Sequence, residues 1–193
     1  RDLWRAARNE DLPVICSETN LNWAWERGTD PRIQKLIGGV WYAEEIVSFV
    51  KMGVRNSVYY TFASSKVWGE TYTETKGWGF GMMECDMSFN EWYPYLVNYL
   101  IGNSIDCGDP LFEVTTNDTK RLSSLAWKNE NRSMLLLVYK ASDEVTLRVT
   151  GMPTGKLTVH RIDSSSDNIQ SGIIEAREFK ISGYTVLLIS SVP

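Results

Sequence analysis

Glu18 stands at the end of a short apolar run, in the stretch PVICSETNLNWAW from Pro13 to Trp25. It is followed by Asn20 and by the two tryptophans Trp23 and Trp25. A carboxylate at the point where a strand leaves a sheet can attack an anomeric carbon, and indole rings beyond it offer flat faces on which sugar rings stack. The alternative interpretation is a loop in which the carboxylate only caps the strand, and the residues SETN taken alone favour it. Whether Glu18 is a catalytic carboxylate or a loop residue therefore depends on the elements predicted around it.

Other side chains that could do chemistry give weaker signals. His160 is the single histidine and lies in the alternating stretch KLTVHRID, which favours a structural or exposed role. No nucleophilic serine motif accompanies it, so a catalytic triad is not predicted. Trp41 in a helix and Trp127 in a strand are predicted core residues, and Glu44 and Glu45 are predicted to be ordinary helix-face carboxylates.

The three cysteines are an odd number without CxxC spacing, so neither a zinc site nor a disulfide framework is indicated. Cys16 is predicted to be a buried strand residue, whereas Cys85 and Cys107 could pair if their loops meet. Several acidic residues of a long loop lack the spacing of calcium ligands. These acidic residues are Glu70, Glu74, Glu84 and Asp86. The sequence therefore predicts no metal and no cofactor.

Composition bounds the class of protein. With 193 residues, 43% of them hydrophobic and 12% aromatic, the chain can bury a sizeable core as one domain or two small ones. The 20 Lys and Arg residues against 24 Asp and Glu give a net charge of -4 without a basic block, so we expect no nucleic-acid partner. No run approaches the roughly 18 apolar residues of a membrane span, so we expect no membrane partner. The N-terminal segment lacks the apolar core of a signal peptide, and the compartment stays open between secreted and cytoplasmic.

Helix and strand signals alternate in the first half of the chain. DLWRAARNE has a helical apolar face, and LPVIC is the kind of run that forms a strand buried on both sides. A second helix is predicted with Thr29 or Asp30 as N-cap, Pro31 in its first turn and Gly53 at its end. NSVYYTFAS predicts a second strand, and NEWYPYLVNYLIGNS predicts a third helix after a long glycine-rich loop.

Beyond Cys107 the sequence changes to short alternating runs separated by turns. The runs are LFEVTT, LSSLAWKN, SMLLLVYKA, VTLRVTG, KLTVHRID and YTVLLISS. They predict an antiparallel β-sandwich or open barrel of about 85 residues. We therefore expect an α/β domain at residues 1–106 and a β-sandwich domain at residues 107–193.

Two parallel strands flanked by helices cannot form a stable sheet alone. A complete (β/α)8 barrel takes about 250 residues, so residues 1–106 are interpreted as the last two βα units of such a barrel, with strands seven and eight. The rest of the barrel is then expected on another chain or in a part that was cut away. Catalytic groups of these barrels lie at the carboxyl ends of the strands, which is where Glu18 falls on strand seven.

Four segments carry a resemblance to a known group of enzymes. They are LPVICSETNLN, VRNSVYYTFASS, GWGFGMMECDMSFNEWYPYLVNYL and KISGYTVLLISS. In order and spacing they resemble the C-terminal half of retaining glycoside hydrolases of clan A with a β-sandwich behind the barrel, such as the β-xylosidase, α-iduronidase, arabinofuranosidase and β-glucuronidase types. The resemblance implies cleavage of O-glycosidic bonds in a carbohydrate substrate, with Glu18 as the nucleophile. The predicted substrate-binding residues are Asn20, Trp23, Trp25, Tyr60 and Trp78.

The resemblance also requires a general acid/base, usually the Glu of an Asn-Glu pair at the end of strand four. The Asn-Glu pairs at positions 9–10, 90–91 and 129–130 precede strand seven, begin the last helix and lie in a hairpin turn, so none fits. We therefore expect an N-terminal companion chain or a second copy to complete the barrel, and no activity from this chain alone. The alternatives are a non-catalytic carbohydrate-binding or structural β-sandwich module, and a degenerate fragment that folds only as an oligomer.

Overall fold

The computed structural model describes residues 12–21, 31–64, 81–84, 89–129 and 132–191. The helix predicted at residues 3–7 lies outside these ranges, as do the segments that carry Trp23, Trp25 and Trp78. The described ranges contain two α-helices, α1 (Leu36–Met52) and α2 (Tyr93–Gly102). Neither is long and apolar enough to cross a membrane.

The first half of the chain contains a two-stranded parallel sheet. β1 (Val14–Thr19) pairs with β2 (Val54–Tyr59), and α1 connects them. Both strands were predicted, and a helical crossover is the connection that parallel strands need. A second, shorter parallel pair follows, formed by β3 (Ala63–Ser64) and β4 (Met83–Glu84).

α1 begins later than the sequence predicts. Pro31 begins a 3-10 turn that ends at Ile33, and α1 starts only after this turn. The turn folds back closely on the helix, since a Cβ at Gly38 would lie 2.4 Å from the carbonyl oxygen of Ile33. The predicted end at Gly53 is correct, because this residue adopts the left-handed conformation, with a φ of 68°, that glycine tolerates.

The second half consists of strands. They are β5 (Leu111–Phe112), β6 (Leu122–Asn129), β7 (Arg132–Tyr139), β8 (Glu144–Arg148), β9 (Leu157–Ile162), β10 (Gln170–Ile174), β11 (Glu178–Ser182) and β12 (Thr185–Ser191). Six of them form an antiparallel sheet in the order β10-β9-β12-β7-β6-β5, and β8 pairs separately with β11. This arrangement is compatible with the predicted β-sandwich.

The six-stranded sheet is covered on both faces. Successive side chains of β7 and β12 point to opposite faces. Leu136 and Leu188 belong to a core shared with α1 and α2, whereas Leu137 and Ile189 pack with residues of β8 and β11. Trp127 is fully buried in the first core, as predicted. The helices and the sheet therefore share one core, and the predicted division between residues 106 and 107 falls in the segment that joins α2 to β5.

β1 and β2 are more exposed than the sequence predicts. Ile15 and Val58 keep 57% and 53% of their surface exposed, and Cys16 is half-buried rather than buried. A strand inside a parallel sheet is covered by neighbours on both sides. Among the described residues, however, β1 and β2 pair only with each other. The described residues therefore do not bury these strands on both faces, which is the exposure expected if the rest of a barrel is missing, whereas the prediction that Cys16 is buried is wrong.

Candidate functional site

Glu18, Asn20 and Tyr60 lie at one edge, where β1 and β2 end. Thr19 is the register partner of Tyr59, and the N–H of Tyr60 donates to the carbonyl oxygen of Thr19 at 2.9 Å. The side-chain amide of Asn20 donates to the carbonyl oxygen of Tyr60. Because parallel strands run in the same direction, their carboxyl ends share an edge. The structure thus brings together three of the predicted site residues.

Glu18 occupies an irregular part of β1. The pairing with β2 shifts register between Cys16 and Thr19, and Cys16 Sγ lies 3.4 Å from the carbonyl oxygen of Glu18. Such irregularities redirect side chains and are over-represented next to active sites. The Glu18 side chain is exposed, so its carboxylate is accessible to an incoming ligand.

Thr19 contacts α1 behind the strand. Its hydroxyl donates to Oε1 of Glu45. Burial raises the pKa of the Glu45 carboxyl, and the hydrogen bond from Thr19 acts in the opposite direction. Beside this contact, the ring of Tyr59 packs edge-on against Tyr42, with centroids 4.8 Å apart and an interplanar angle of 71°. Both strand ends therefore contact the same turn of α1.

Tyr42 of this turn and Tyr59 of β2 stay protonated at neutral pH. Burial raises the pKa of Tyr42 to about 12, with a smaller contribution from the charge of Glu45. Burial likewise raises the pKa of Tyr59. As a phenol, Tyr42 donates to Oδ1 of Asn98 on α2 at 3.1 Å. At neutral pH these hydroxyl groups are therefore neutral hydrogen-bonding groups, whereas Glu18 at the same edge is exposed.

Two exposed aromatic residues follow β2. Tyr60 and Phe62 keep 48% and 58% of their surface exposed, and Phe62 contacts Tyr95 of α2 with ring centroids 6.2 Å apart. The N–H of Met82 donates to the carbonyl oxygens of both Thr61 and Phe62, each at 3.0 Å. These bonds hold the segment after β2 beside the start of β4. Phe62 was not among the predicted site residues, although the aromatic run YYTF could have indicated it. Its ring adds an apolar face next to the carboxyl ends of the strands.

Three predicted site residues are not described by the structure, and His160 lies in the other half of the chain. Trp23, Trp25 and Trp78 lie outside the described residues and stay predictions. His160 lies on β9, where its Nδ1 is 2.7 Å from the hydroxyl oxygen of Ser171 on β10. This cross-strand contact is the kind of structural role that the alternating sequence around His160 favours.

The described cysteines and acidic residues are not grouped as metal ligands. Cys16 and Cys107 are free thiols, and Cys85 lies outside the described residues. In the part of the chain that the structure describes, no group of three or more His, Cys, Asp or Glu side chains could hold a metal ion.

Comparison with known proteins gives a result from structure and none from sequence. No protein-family model matches the chain, and no curated protein matches it significantly. A GH30 endoxylanase from Clostridium papyrosolvens C71 is similar in structure, with a TM-score of 0.65 at 11% identity over 100% of this chain. The GH39 enzyme from Xanthomonas axonopodis pv. citri has a TM-score of 0.62 at 15% identity over 96% of this chain. A GH86 β-porphyranase from the human gut bacterium Bacteroides plebeius has a TM-score of 0.64 at 10% identity over 99% of this chain.

The chain shares its fold with the C-terminal part of clan A glycoside hydrolases. The resemblance predicted from the sequence segments is thereby confirmed at the level of the fold. The chain spans 45%, 46% and 36% of the length of these three enzymes. More than half of each clan A enzyme therefore has no counterpart in this chain.

Proposed function

We propose that this chain is the C-terminal portion of a retaining glycoside hydrolase with Glu18 as the nucleophile. One observation carries the proposal: Glu18 is an exposed carboxylate at the carboxyl end of a parallel strand, directly beside the end of a second parallel strand. In (β/α)8 barrels this end of the strands holds the catalytic groups. The fold shared with GH30, GH39 and GH86 enzymes supports the same conclusion.

The proposed reaction has two displacements. A carboxylate oxygen of Glu18 forms a bond to the anomeric carbon while the bond from that carbon to the glycosidic oxygen breaks, and the departing oxygen takes a proton from a general acid. The sugar is then held as an ester of Glu18. In the second step the same acid group, now a base, takes a proton from water. The water oxygen attacks the anomeric carbon, and the Glu18 carboxylate leaves with the configuration of the sugar retained.

The acid/base is proposed to lie outside this chain. Retaining hydrolysis needs a second carboxyl group about 5–5.5 Å from the first. We assign it to an N-terminal companion chain, or to a second copy, that completes a barrel of which β1 and β2 are the last two strands. The exposure of Ile15 and Val58 supports this assignment, because additional strands would cover such side chains.

The proposed substrate is a polysaccharide. The structurally similar proteins include xylanases and a β-porphyranase, which makes a xylan-like probe a reasonable first choice. Asn20 and Tyr60, with the ring of Phe62, would contact the sugar at the cleavage point. Trp23, Trp25 and Trp78 would add stacking faces. The β-sandwich packs against α1, and Lys140, directly after β7, forms an ion pair of 3.0 Å with Glu44 of this helix.

Rescue by azide tests the role of Glu18 in the complete protein. Glu18→Ala should lose hydrolysis of 4-nitrophenyl β-xylobioside. Added azide should restore turnover, because the small anion occupies the space of the lost carboxylate and attacks the same face of the sugar. The product should be a glycosyl azide of inverted configuration. Glu178→Ala, an exposed carboxylate on β11, is the matched control and should hydrolyse normally. Binding of xylan by the wild-type protein without any hydrolysis would instead favour a non-catalytic module.

A further inference from the structure

The ends of β1 and β2 contact a single turn of α1, from Tyr42 to Glu45. Thr19, the residue after Glu18, donates its hydroxyl hydrogen bond to Oε1 of Glu45. Tyr59, at the end of β2, packs its ring against Tyr42. Thr19 is half-buried against α1, whereas Glu18 directly before it is exposed, so these contacts hold the strand ends beside Glu18 from the side of α1.

This turn of α1 has a fixed position in the molecule. The side chains of Val40, Ala43 and Val47 on the same helix are buried in the core shared with the six-stranded sheet. The hydroxyl of Tyr42 donates to Oδ1 of Asn98 on α2 at 3.1 Å. A side chain bound to this turn is therefore held relative to the packed part of the protein.

A carboxylate is a costly choice for a packing position such as Glu45. Its Oε2 is buried, and no described residue donates a hydrogen bond to it. An apolar side chain would fill the same space beside Tyr42 and Tyr59 without taking a charge out of water. The hydrogen bond from Thr19 is what the carboxylate provides and an apolar side chain would not. Glu45 is thus better explained by its action on Thr19 than by packing.

We propose that Glu45 is a positioning residue for Glu18, because it holds the Thr19 hydroxyl and thereby fixes the direction in which the Glu18 carboxylate leaves β1. The proposal rests on the proposed role of Glu18 as nucleophile. The register shift between Cys16 and Thr19 interrupts regular pairing with β2 at this point, so the backbone ladder alone does not fix the nucleophile. A displacement of about 1 Å can cost about a hundredfold in rate, because attack needs aligned atoms.

The test measures the rate at which the complete protein forms a glycosyl-enzyme with 2,4-dinitrophenyl 2-deoxy-2-fluoro-β-xylobioside, together with the melting temperature. Thr19→Val keeps the branched shape and removes the hydroxyl, whereas Thr19→Ser keeps the hydroxyl. Glu45→Leu removes the acceptor, whereas Glu45→Gln keeps an acceptor oxygen. Glu44→Gln is the matched control, because Glu44 is the neighbouring half-buried carboxylate on α1 and pairs with Lys140 instead.

We expect Thr19→Val and Glu45→Leu to slow labelling at saturating probe about tenfold to a hundredfold, with little change in the apparent binding constant of the probe. Thr19→Ser should slow labelling less than Thr19→Val, and Glu45→Gln should slow it less than Glu45→Leu. Glu44→Gln should lower the melting temperature without slowing the labelling.

Wild-type labelling rates in Thr19→Val, accompanied by a lower melting temperature, would assign the contact a structural role only and overturn the proposal. Thr19→Val nearly preserves the side-chain shape, so it decides the question even if Glu45→Leu does not fold. A label on a residue other than Glu18 in the wild-type protein is a different result, since it overturns the proposed nucleophile and with it the positioning role.

Discussion

The backbone N–H of Tyr60 donates to the carbonyl oxygen of Thr19 at 2.9 Å, and this bond joins the ends of two parallel strands one residue beyond Glu18. The side chain of Asn20 donates to the carbonyl oxygen of the same Tyr60, across 40 positions of sequence. The candidate nucleophile thus lies beside a cross-link between the two strand ends. Disturbing this cross-link should affect chemistry more than stability.

Asn20→Ala tests the cross-link. The substitution removes the donor to Tyr60 and the acceptor of the Leu21 N–H, which lies 2.6 Å from Oδ1 of Asn20. We expect the free energy of unfolding to fall by about 1 kcal/mol and the rate of glycosyl-enzyme formation to fall as well. Asn103→Ala is the control, because the Asn103 amide makes a comparable bond of 2.7 Å to Tyr99 at the end of α2. Urea unfolding should show a similar loss of stability in both variants, whereas labelling should be slower only in Asn20→Ala. Equal labelling rates in the two variants would contradict a role of the cross-link in the chemistry.

Gly39→Ala tests the close approach of α1 and α2. A Cβ at Gly39 would lie 2.8 Å from the Cβ of Tyr93, whereas a Cβ at Gly102 would have no atom within 4 Å. Gly39→Ala should therefore lower the free energy of unfolding by about 1–3 kcal/mol, because the helices must move apart. Gly102→Ala should leave stability unchanged or raise it, since alanine is the better helix former. Denaturant titrations that rank the two variants in the reverse order would show that the helices separate without cost.

Glu45→Gln should change the pH dependence of stability. Burial raises the pKa of Glu45 in the folded protein, so the folded state binds its proton more tightly than the unfolded chain. Its contribution to stability is greatest below the ordinary carboxyl pKa and falls as pH rises through the raised value. The stability of Glu45→Gln relative to wild type should therefore increase as the pH rises from about 4, the ordinary carboxyl pKa, through the raised pKa of Glu45.

Urea unfolding at a series of pH values measures this difference. Tyr42 and Tyr59, the ionisable neighbours of Glu45, keep their protons throughout, because burial raises both pKa values. Glu44→Gln serves as the reference, since Glu44 lies in an ion pair with Lys140. A stability difference for Glu45→Gln that stays constant with pH would mean that Glu45 titrates alike in both states.

The isolated chain should self-associate through β1 and β2. Ile15 and Val58 are exposed there, and an open strand edge pairs readily with another chain. Light scattering should give a mass above the 22.0 kDa of one chain. Ile15→Lys should reduce the association, whereas Met52→Lys, at an equally exposed position at the end of α1, should not. A stable monomer with strong hydrogen-exchange protection of the amides of residues 14–16 would contradict the interpretation of β1 and β2 as the last two strands of a barrel.

Strands with strong alternation could be located from sequence, whereas two strands with mostly exposed side chains could not. β6 was predicted at its observed bounds, Leu122–Asn129, because one face of the run LSSLAWKN packs into the core. β10 (Gln170–Ile174) and β11 (Glu178–Ser182) were missed. Their side chains are mostly exposed, and β10 lies at an edge of the sheet. Pairing with a neighbouring strand, rather than an apolar pattern, defines such strands.

The site shows a similar division. Glu18 was selected from the order and spacing of the segments that resemble clan A hydrolases, because the residues SETN taken alone favoured a loop. The structure places Glu18 near the carboxyl end of β1, and its role as nucleophile stays a prediction. Glu45 was interpreted as an ordinary helix-face carboxylate, since nothing in the local sequence indicates its contact with Thr19, 26 positions away. The contact exists only because the α1 crossover returns the helix over the end of β1. Long-range contacts of this kind require the fold.

Mass spectrometry of the complete protein after reaction with the 2-fluoro probe tests the nucleophile most directly. The probe traps the glycosyl-enzyme, so the peptide that contains Glu18 should gain the mass of one glycosyl group. Glu18→Gln, which keeps the shape without the charge, should not be labelled, and Glu178→Gln should be labelled like the wild type. A label on any other carboxylate, or hydrolysis with inverted configuration and no label, would contradict the assignment of Glu18.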